Sequence, residues 1–194
     1  MRKLQTVFVA LFSLLLLATA CGSKDDDFNP DDQTSDNIQY DGNRKILVAY
    51  FSATGNTQRL AEQIVSATGA DVFRIEAEEP YASNPYDDSD RIQNESYNNL
   101  RPKVAMLPDN VEDYGVIFIG SPIWWHNPAM VVCTFLEAYD LKGKIVVPFF
   151  TYGSTTYLKQ SIDKIHDVTP QSVHLATYTG GEVRTWLRNI HIIK

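Results

Sequence analysis

Lys45-Ile46-Leu47-Val48-Ala49-Tyr50-Phe51-Ser52-Ala53-Thr54-Gly55-Asn56-Thr57 is an apolar run that gives way to hydroxyls, an amide and one glycine. An unbroken apolar stretch such as Ile46 to Phe51 reads as a parallel strand buried on both faces. After the loop, Thr57, Leu60, Ala61, Ile64, Val65 and Thr68 recur at helical spacing, and Gly69 supplies a stop. The loop therefore lies between a buried strand and a helix N-terminus, where free backbone N–H groups and the helix dipole favour an anion. Gly55 lets the backbone wrap closely around such a group, and the hydroxyls of Ser52, Thr54 and Thr57 and the Asn56 amide can donate to it. Hydrogen bonds to a charged group contribute about 1.5 to 3 kcal/mol each, so several can hold a phosphate dianion without a cationic side chain. The lysine of a Walker A loop is missing, and so is the Gly-x-Gly-x-x-Gly of a dinucleotide site.

Outward from this loop, strand and helix alternate. Val72 to Ile75 predicts a second strand, with Arg74 suited to a place near an edge, and Val116 to Gly120 a third. Pro128 onward, through Val131, Val132, Phe135, Leu136 and Tyr139, reads as a helix opened by proline. Ile145 to Phe150 is a fourth strand in which Pro148 calls for a bulge. Thr155 to Ile165 predicts a helix, Ser172 to Ala176 a fifth strand, and Val183, Trp186, Leu187 and Ile190 a last amphipathic helix. The expected fold is α/β, a doubly wound parallel sheet of five strands. The segment from Glu78 to Asp113 is long, polar and dotted with aromatic residues, with a short helix around Asp88 to Leu100. Long connections are often functional, and this one is either a cover for a ligand site or a surface excursion. Asp87, Asp88 and Asp90 within it read as a solvated turn and helix start.

Residues 1–20 have the layout of an export signal: Arg2 and Lys3, an apolar run from Val7 to Ala18, then small residues. The run is shorter than the ~20 residues a spanning helix needs. Leu17-Ala18-Thr19-Ala20-Cys21 resembles a bacterial lipobox, with Ala18 departing from the usual leucine, and implies that Cys21 is acylated and anchors the chain to a membrane at the periplasmic face or cell surface. Residues 21–44 then form an acidic tether, too poor in apolar groups to offset the entropy of ordering. Ser23-Lys24-Asp25-Asp26-Asp27 resembles an acidic surface-export signal of some Bacteroidetes lipoproteins, or is an acidic linker.

From residue 45 to 194, one domain, 13 basic residues stand against 17 acidic ones, a net charge of -4 without a basic cluster. That balance argues against nucleic acid as a partner. Cys133 has no second cysteine in the domain, so there is no disulfide framework or Cys-x-x-Cys pair, and it reads as a small buried hydrophobe. No Ser/His/Asp set, carboxylate pair or metal-ligand spacing stands out.

The stretch Ser52-x-Thr54-Gly55-Asn56-Thr57 resembles the phosphate loop of the flavodoxin family, whose pattern is Ser/Thr-x-Thr-Gly-x-Thr. Similarity extends through Gly120-Ser121-Pro122-Ile123-Trp124-Trp125 and Thr151-Tyr152-Gly153-Ser154, so it covers essentially the whole domain. It implies strand order 2-1-3-4-5, FMN at the carboxyl edge of the sheet, and redox chemistry. It assigns the phosphate to Ser52, Thr54, Gly55, Asn56 and Thr57, and the rest of the flavin to Pro122, Ile123, Trp124, Trp125, Thr151, Tyr152, Gly153, Ser154 and Tyr157. Trp124 matches a position from which a ring stacks on the isoalloxazine, one of the two tryptophans otherwise covering the next helix; Tyr152 and Tyr157 compete as second stacking partner. Trp125 departs from a family position often held by a small residue, and His126 reads as an exposed loop histidine.

Three functions follow as expectations. The first is a membrane-anchored electron carrier using FMN, with a redox protein or a quinone as partner. The second is an FMN-dependent NAD(P)H or quinone oxidoreductase, for which export disfavours the nicotinamide. The third is a flavin-free binding or scaffold protein, since Arg2-Lys3 is not a twin-arginine signal and a chain exported unfolded must acquire FMN outside.

Overall fold

A computed structural model describes residues 40 and 42–194. The expected export signal, Cys21 and nearly all of the expected tether lie outside the described residues.

Among the described residues six strands and five α-helices follow one another as β1 (Ile46–Tyr50), α1 (Asn56–Thr68), β2 (Asp71–Arg74), α2 (Ser89–Tyr97), β3 (Val116–Trp124), β4 (Asn127–Pro128), α3 (Met130–Glu137), β5 (Ile145–Thr151), α4 (Leu158–Val168), β6 (Val173–His174) and α5 (Val183–Asn189). The parallel strands lie in the order β2-β1-β3-β5-β6, with the two-residue β4 returning antiparallel along the end of β3. Setting β4 aside, this is the doubly wound, five-stranded order expected from the sequence.

The apolar runs are continuous because alternate residues of each central strand serve opposite faces. Leu47, Ala49, Ile117, Ile119 and Val146 pack with Val132, Phe135 and Leu136 of α3 and Ile162 and Ile165 of α4. Val48, Phe118, Ile145, Val147 and Phe149 pack with Leu60, Ala61 and Ile64 of α1 and Trp186 and Leu187 of α5. Tyr40 packs on this second face and donates its hydroxyl to Arg44 O at 2.9 Å. Cys133 is fully buried in α3, where burial pushes its thiol up to about 11, consistent with an unreactive hydrophobe.

Three expectations are corrected. Helix α3 starts at Met130, and Pro128 sits opposite Ile123 in the antiparallel return. Pro148 needs no bulge, for β5 stays in register with β3 through Ile119↔Pro148. The Val146 carbonyl accepts from Leu175 N on the β6 side, so by alternation the missing N–H of Pro148 also faces that side, in the irregular gap between the Val146↔His174 pair and the Phe149↔Tyr178 bridge. The fifth strand is correspondingly two residues long instead of five.

At the far end of the sheet from the 52–57 loop, His174 on β6 stacks on His166 of α4, ring centroids 3.9 Å apart, and shares a 2.8 Å hydrogen bond with Thr169 Oγ1. Burial, then the neighbouring His166, lowers His174 to about 4, and burial lowers His166 against the opposing pull of Asp163 and Asp167. Both rings fold neutral, while in the unfolded chain they take up protons near pH 6.5. Stability therefore falls as pH drops from about 6.5 towards 4, by about 1 to 2 kcal/mol after screening at these half-buried sites. Urea melts at pH 7 and 5 should show this loss, and His174→Gln should reduce it; an unchanged pH dependence in the variant would contradict the assignment.

Candidate functional site

Helix α1 begins from Gly55 in a left-handed conformation (φ 82°), and no side chain caps its N-terminus. A left-handed residue is easily adopted only by glycine, and it reverses the chain so that the first turn follows directly on the loop. Ser52 is buried and accepts the Gly55 N–H at 3.1 Å; Thr57 is buried and shares a 2.8 Å hydrogen bond with Thr151 Oγ1 at the end of β5. Thr54 and Asn56 are exposed, the Asn56 amide donating to Thr54 Oγ1 at 3.2 Å. Arg74 on β2 donates to the Ser52 carbonyl at 3.0 Å and holds the back of the loop.

This loop forms one end of a cleft of about 970 Å³ across the carboxyl ends of β1, β3 and β5. Ser52, Thr54, Asn56, Thr57, Pro122, Ile123, Trp124, Trp125, Thr151, Tyr152, Gly153, Ser154 and Tyr157 all line it. Gly55 does not, and its part is conformational.

Trp124 meets Phe51 and Tyr81 edge to face, each at 5.2 Å between ring centroids. Tyr81 in turn donates to Glu95 Oε2 at 2.6 Å, Arg91 donates to Glu95 Oε1 at 2.8 Å, and the Arg91 guanidinium lies 4.1 Å over the Tyr81 ring. Burial and the Glu95 carboxylate hold the Tyr81 phenol far above its ordinary range, so it stays protonated as a donor. This clamp ties the long 78–113 connection to the Trp124 wall. The Ala77↔Val104 bridge closes the 78–103 part of the connection at its base.

Trp125 and His126 form the two-residue tip of the hairpin between β3 and β4, both with positive φ (44° and 75°). A tight hairpin turn favours that geometry, but normally with Asn-Gly, so two bulky residues store strain there. Side chains hold the tip: Ser96 Oγ donates to Trp125 O at 2.6 Å, and the His126 ring stacks on Tyr157 at 3.6 Å between centroids. His126 is thus half-buried and lines the cleft, not the exposed loop residue expected. Ser96 Oγ also accepts from buried Asn127 Nδ2 at 2.8 Å. Ser96→Ala removes both bonds and should lower stability by about 1 to 2 kcal/mol. A thermal melt checks this, and an unchanged midpoint would mean the tip is held otherwise.

Tyr152 reaches Thr179 O at 3.4 Å, beside Tyr178 and Gly180 of the loop before α5. Both of those residues line the cleft, as do Asn84, Pro85, Tyr86, Ser89 and Ile92 from the long connection. Pro85 and Tyr86 belong to the aromatic-dotted stretch read as a cover or a surface excursion, and none of these residues was assigned to the site from the sequence. The composition of the connection hinted at a cover, while the 178–180 loop carries no motif. Among the described residues no cluster of His, Cys, Asp or Glu could hold a metal ion, and no helix is long and apolar enough to cross a membrane.

Comparison with known proteins gives a family model described as flavodoxin that matches residues 45–189. Among curated proteins none matches. Of solved structures, a candidate flavoprotein from Bacteroides eggerthii DSM 20697 is 35% identical, with 78% of this chain and 100% of that chain covered and a TM-score of 0.68. One from Bacteroides uniformis ATCC 8492 is 30% identical, covering 75% and 98%, with a TM-score of 0.64. A flavoprotein in complex with FMN from Lactobacillus acidophilus NCFM shares the fold at 24% identity, covering 69% and 91%, with a TM-score of 0.62.

Proposed function

Because this chain belongs to the flavodoxin family, we propose that it binds FMN in the cleft and carries electrons between partners at a membrane surface. The observation that carries this reading is the uncapped N-terminus of α1, with its hydroxyl-rich loop, opening into a cleft with aromatic walls. The donor set fits a phosphate: backbone N–H groups at the helix start, the Thr54 and Thr57 hydroxyls and the Asn56 amide surround one end. The other end fits a large planar ring, because Trp124 is fixed by Phe51 and Tyr81 and Tyr152 faces the same cleft.

Bound FMN supplies reversible one- or two-electron transfer. The protein's own part is to bind and to orient. Ser52 and Thr57 set the loop from buried positions, Thr57 through the Thr151 hydroxyl. Pro122 and Ile123, Gly153 and Ser154 form the loops that flank the ring. The strained tip at Trp125 and His126 is pinned by Ser96 and Tyr157, which keeps that wall in place.

A second reading, an FMN-dependent NAD(P)H or quinone oxidoreductase, draws on the size of the cleft. About 970 Å³ is at the top of the ordinary range for small-molecule sites, and the exposed Tyr86 at its mouth offers a surface for a further ring. Acylation of Cys21 after export, following the lipobox-like Leu17 to Cys21, is the proposed anchor. Protein recovered from its native membrane should be yellow and release FMN on denaturation, and Cys21→Ala should move it to the soluble fraction. Steady turnover of a quinone with an added reductant favours the oxidoreductase, and no turnover without a partner protein favours the carrier. A colourless protein that takes up no FMN rejects both.

A further inference from the structure

Arg59 stands one turn into α1, yet its guanidinium reaches back to the phosphate loop. Nη2 donates to Asn56 Oδ1, and Nη1 lies 3.7 Å from where a Cβ on Gly55 would be. Among the described residues no carboxylate pairs with Arg59. The other arginine at the loop is different: Arg74 pairs with Glu76 at 3.3 Å and donates also to Ser52 O and Gln58 Oε1, both at 3.0 Å. One guanidinium is thus neutralised and built into the scaffold, while the other carries its full charge against Gly55 and Asn56. By occupying Asn56 Oδ1, Arg59 also leaves the amide's N–H groups for the loop interior, where Nδ2 already donates to Thr54 Oγ1.

A fixed cation with unused donors beside an anion-binding loop adds charge-assisted attraction to hydrogen bonds that would otherwise be neutral. We propose that Arg59, exposed beside Gly55 and Asn56 and outside the lining of the cleft, acts through its charge on the anion held by the loop, and so makes the site select a phosphorylated flavin over riboflavin. The proposal rests on the FMN reading above. It also gives binding a dependence on ionic strength, since Arg59 is exposed and screened by salt.

The test uses the full chain in detergent, wild type, Arg59→Gln and Arg59→Lys, titrated with FMN and with riboflavin by flavin fluorescence. Arg59→Gln should weaken FMN about five- to tenfold at low salt and change riboflavin by less than about twofold. The difference should shrink at about 0.5 M salt, and Arg59→Lys should recover most of the loss. Unchanged FMN affinity, or equal losses for FMN and riboflavin, overturns the proposal. Inorganic phosphate separates it from the flavin reading: the flavin-free wild type should melt higher with phosphate, and Arg59→Gln should gain less. If the wild type binds neither flavin while that difference persists, the FMN reading fails and the anion role of Arg59 stands; equal shifts remove it.

Discussion

Thr54→Ala is expected to weaken FMN binding about 10- to 100-fold, the loss of one or more hydrogen bonds to a charged group. Thr54 is exposed in the loop, lines the cleft, and its Oγ1 accepts from Asn56 Nδ2. It makes no buried contact that folding depends on, so the melting temperature without flavin should hardly move. The Trp125→Ala variant provides the contrast. Trp125 also lines the cleft, but it is 38% exposed at the hairpin tip and touches Tyr97 only at 5.9 Å between ring centroids. Its loss should reduce affinity less than that of Thr54, because stacking adds only about 0.5 to 1.5 kcal/mol beyond burial. Titrations of both variants by fluorescence decide the order. Equal affinity in wild type and Thr54→Ala contradicts the placing of the phosphate.

The largest effect on folding should come from Gly120→Ala. Gly120 lies at the centre of the sheet, paired with Tyr50 on β1 and Phe149 on β5. A Cβ there would stand 2.3 Å from Phe149 Cζ, 2.5 Å from its Cε2 and 2.8 Å from Tyr50 Cβ. Phe149 is fully buried between the sheet and the α1 and α5 face, so it cannot swing aside without disturbing Phe118 and Val147. Overpacking of this kind costs about 2 to 3 kcal/mol, a fall of about 5 to 10 °C in melting temperature. Ser121 and Pro122 follow directly, so displaced backbone should also weaken FMN binding. Denaturant melts of wild type and variant test this; matching midpoints would mean that Phe149 has room to move.

How much of this was legible in the sequence depended on what fixed each element. Strands β1, β3 and β5 were visible because burial on both faces demands continuous apolar runs. Strand β2 was fainter, since it lies at an edge and leaves Val72 57% exposed. The fifth strand was overextended because regular pairing breaks after Val146↔His174 and returns only as the single Phe149↔Tyr178 bridge, which apolar content does not reveal. The hairpin at Trp125 and His126 was hidden, as those residues lack the turn preference that would mark it, and contacts from Ser96 and Tyr157, distant in sequence, hold it instead. By contrast, the loops after β1, β3 and β5 follow apolar runs and could be placed at the cleft by pattern and order. Tyr86 and Tyr178 reach it only through tertiary packing.

On the proposed reading the assembled cleft captures FMN after export. The most direct measurement is an absorbance and fluorescence titration of the full chain, stripped of flavin and held in detergent, with FMN. The account predicts saturable quenching at one FMN per chain, a shifted flavin spectrum, and a higher melting temperature in the complex. Unchanged FMN fluorescence and an unchanged melt at saturating concentrations would contradict it.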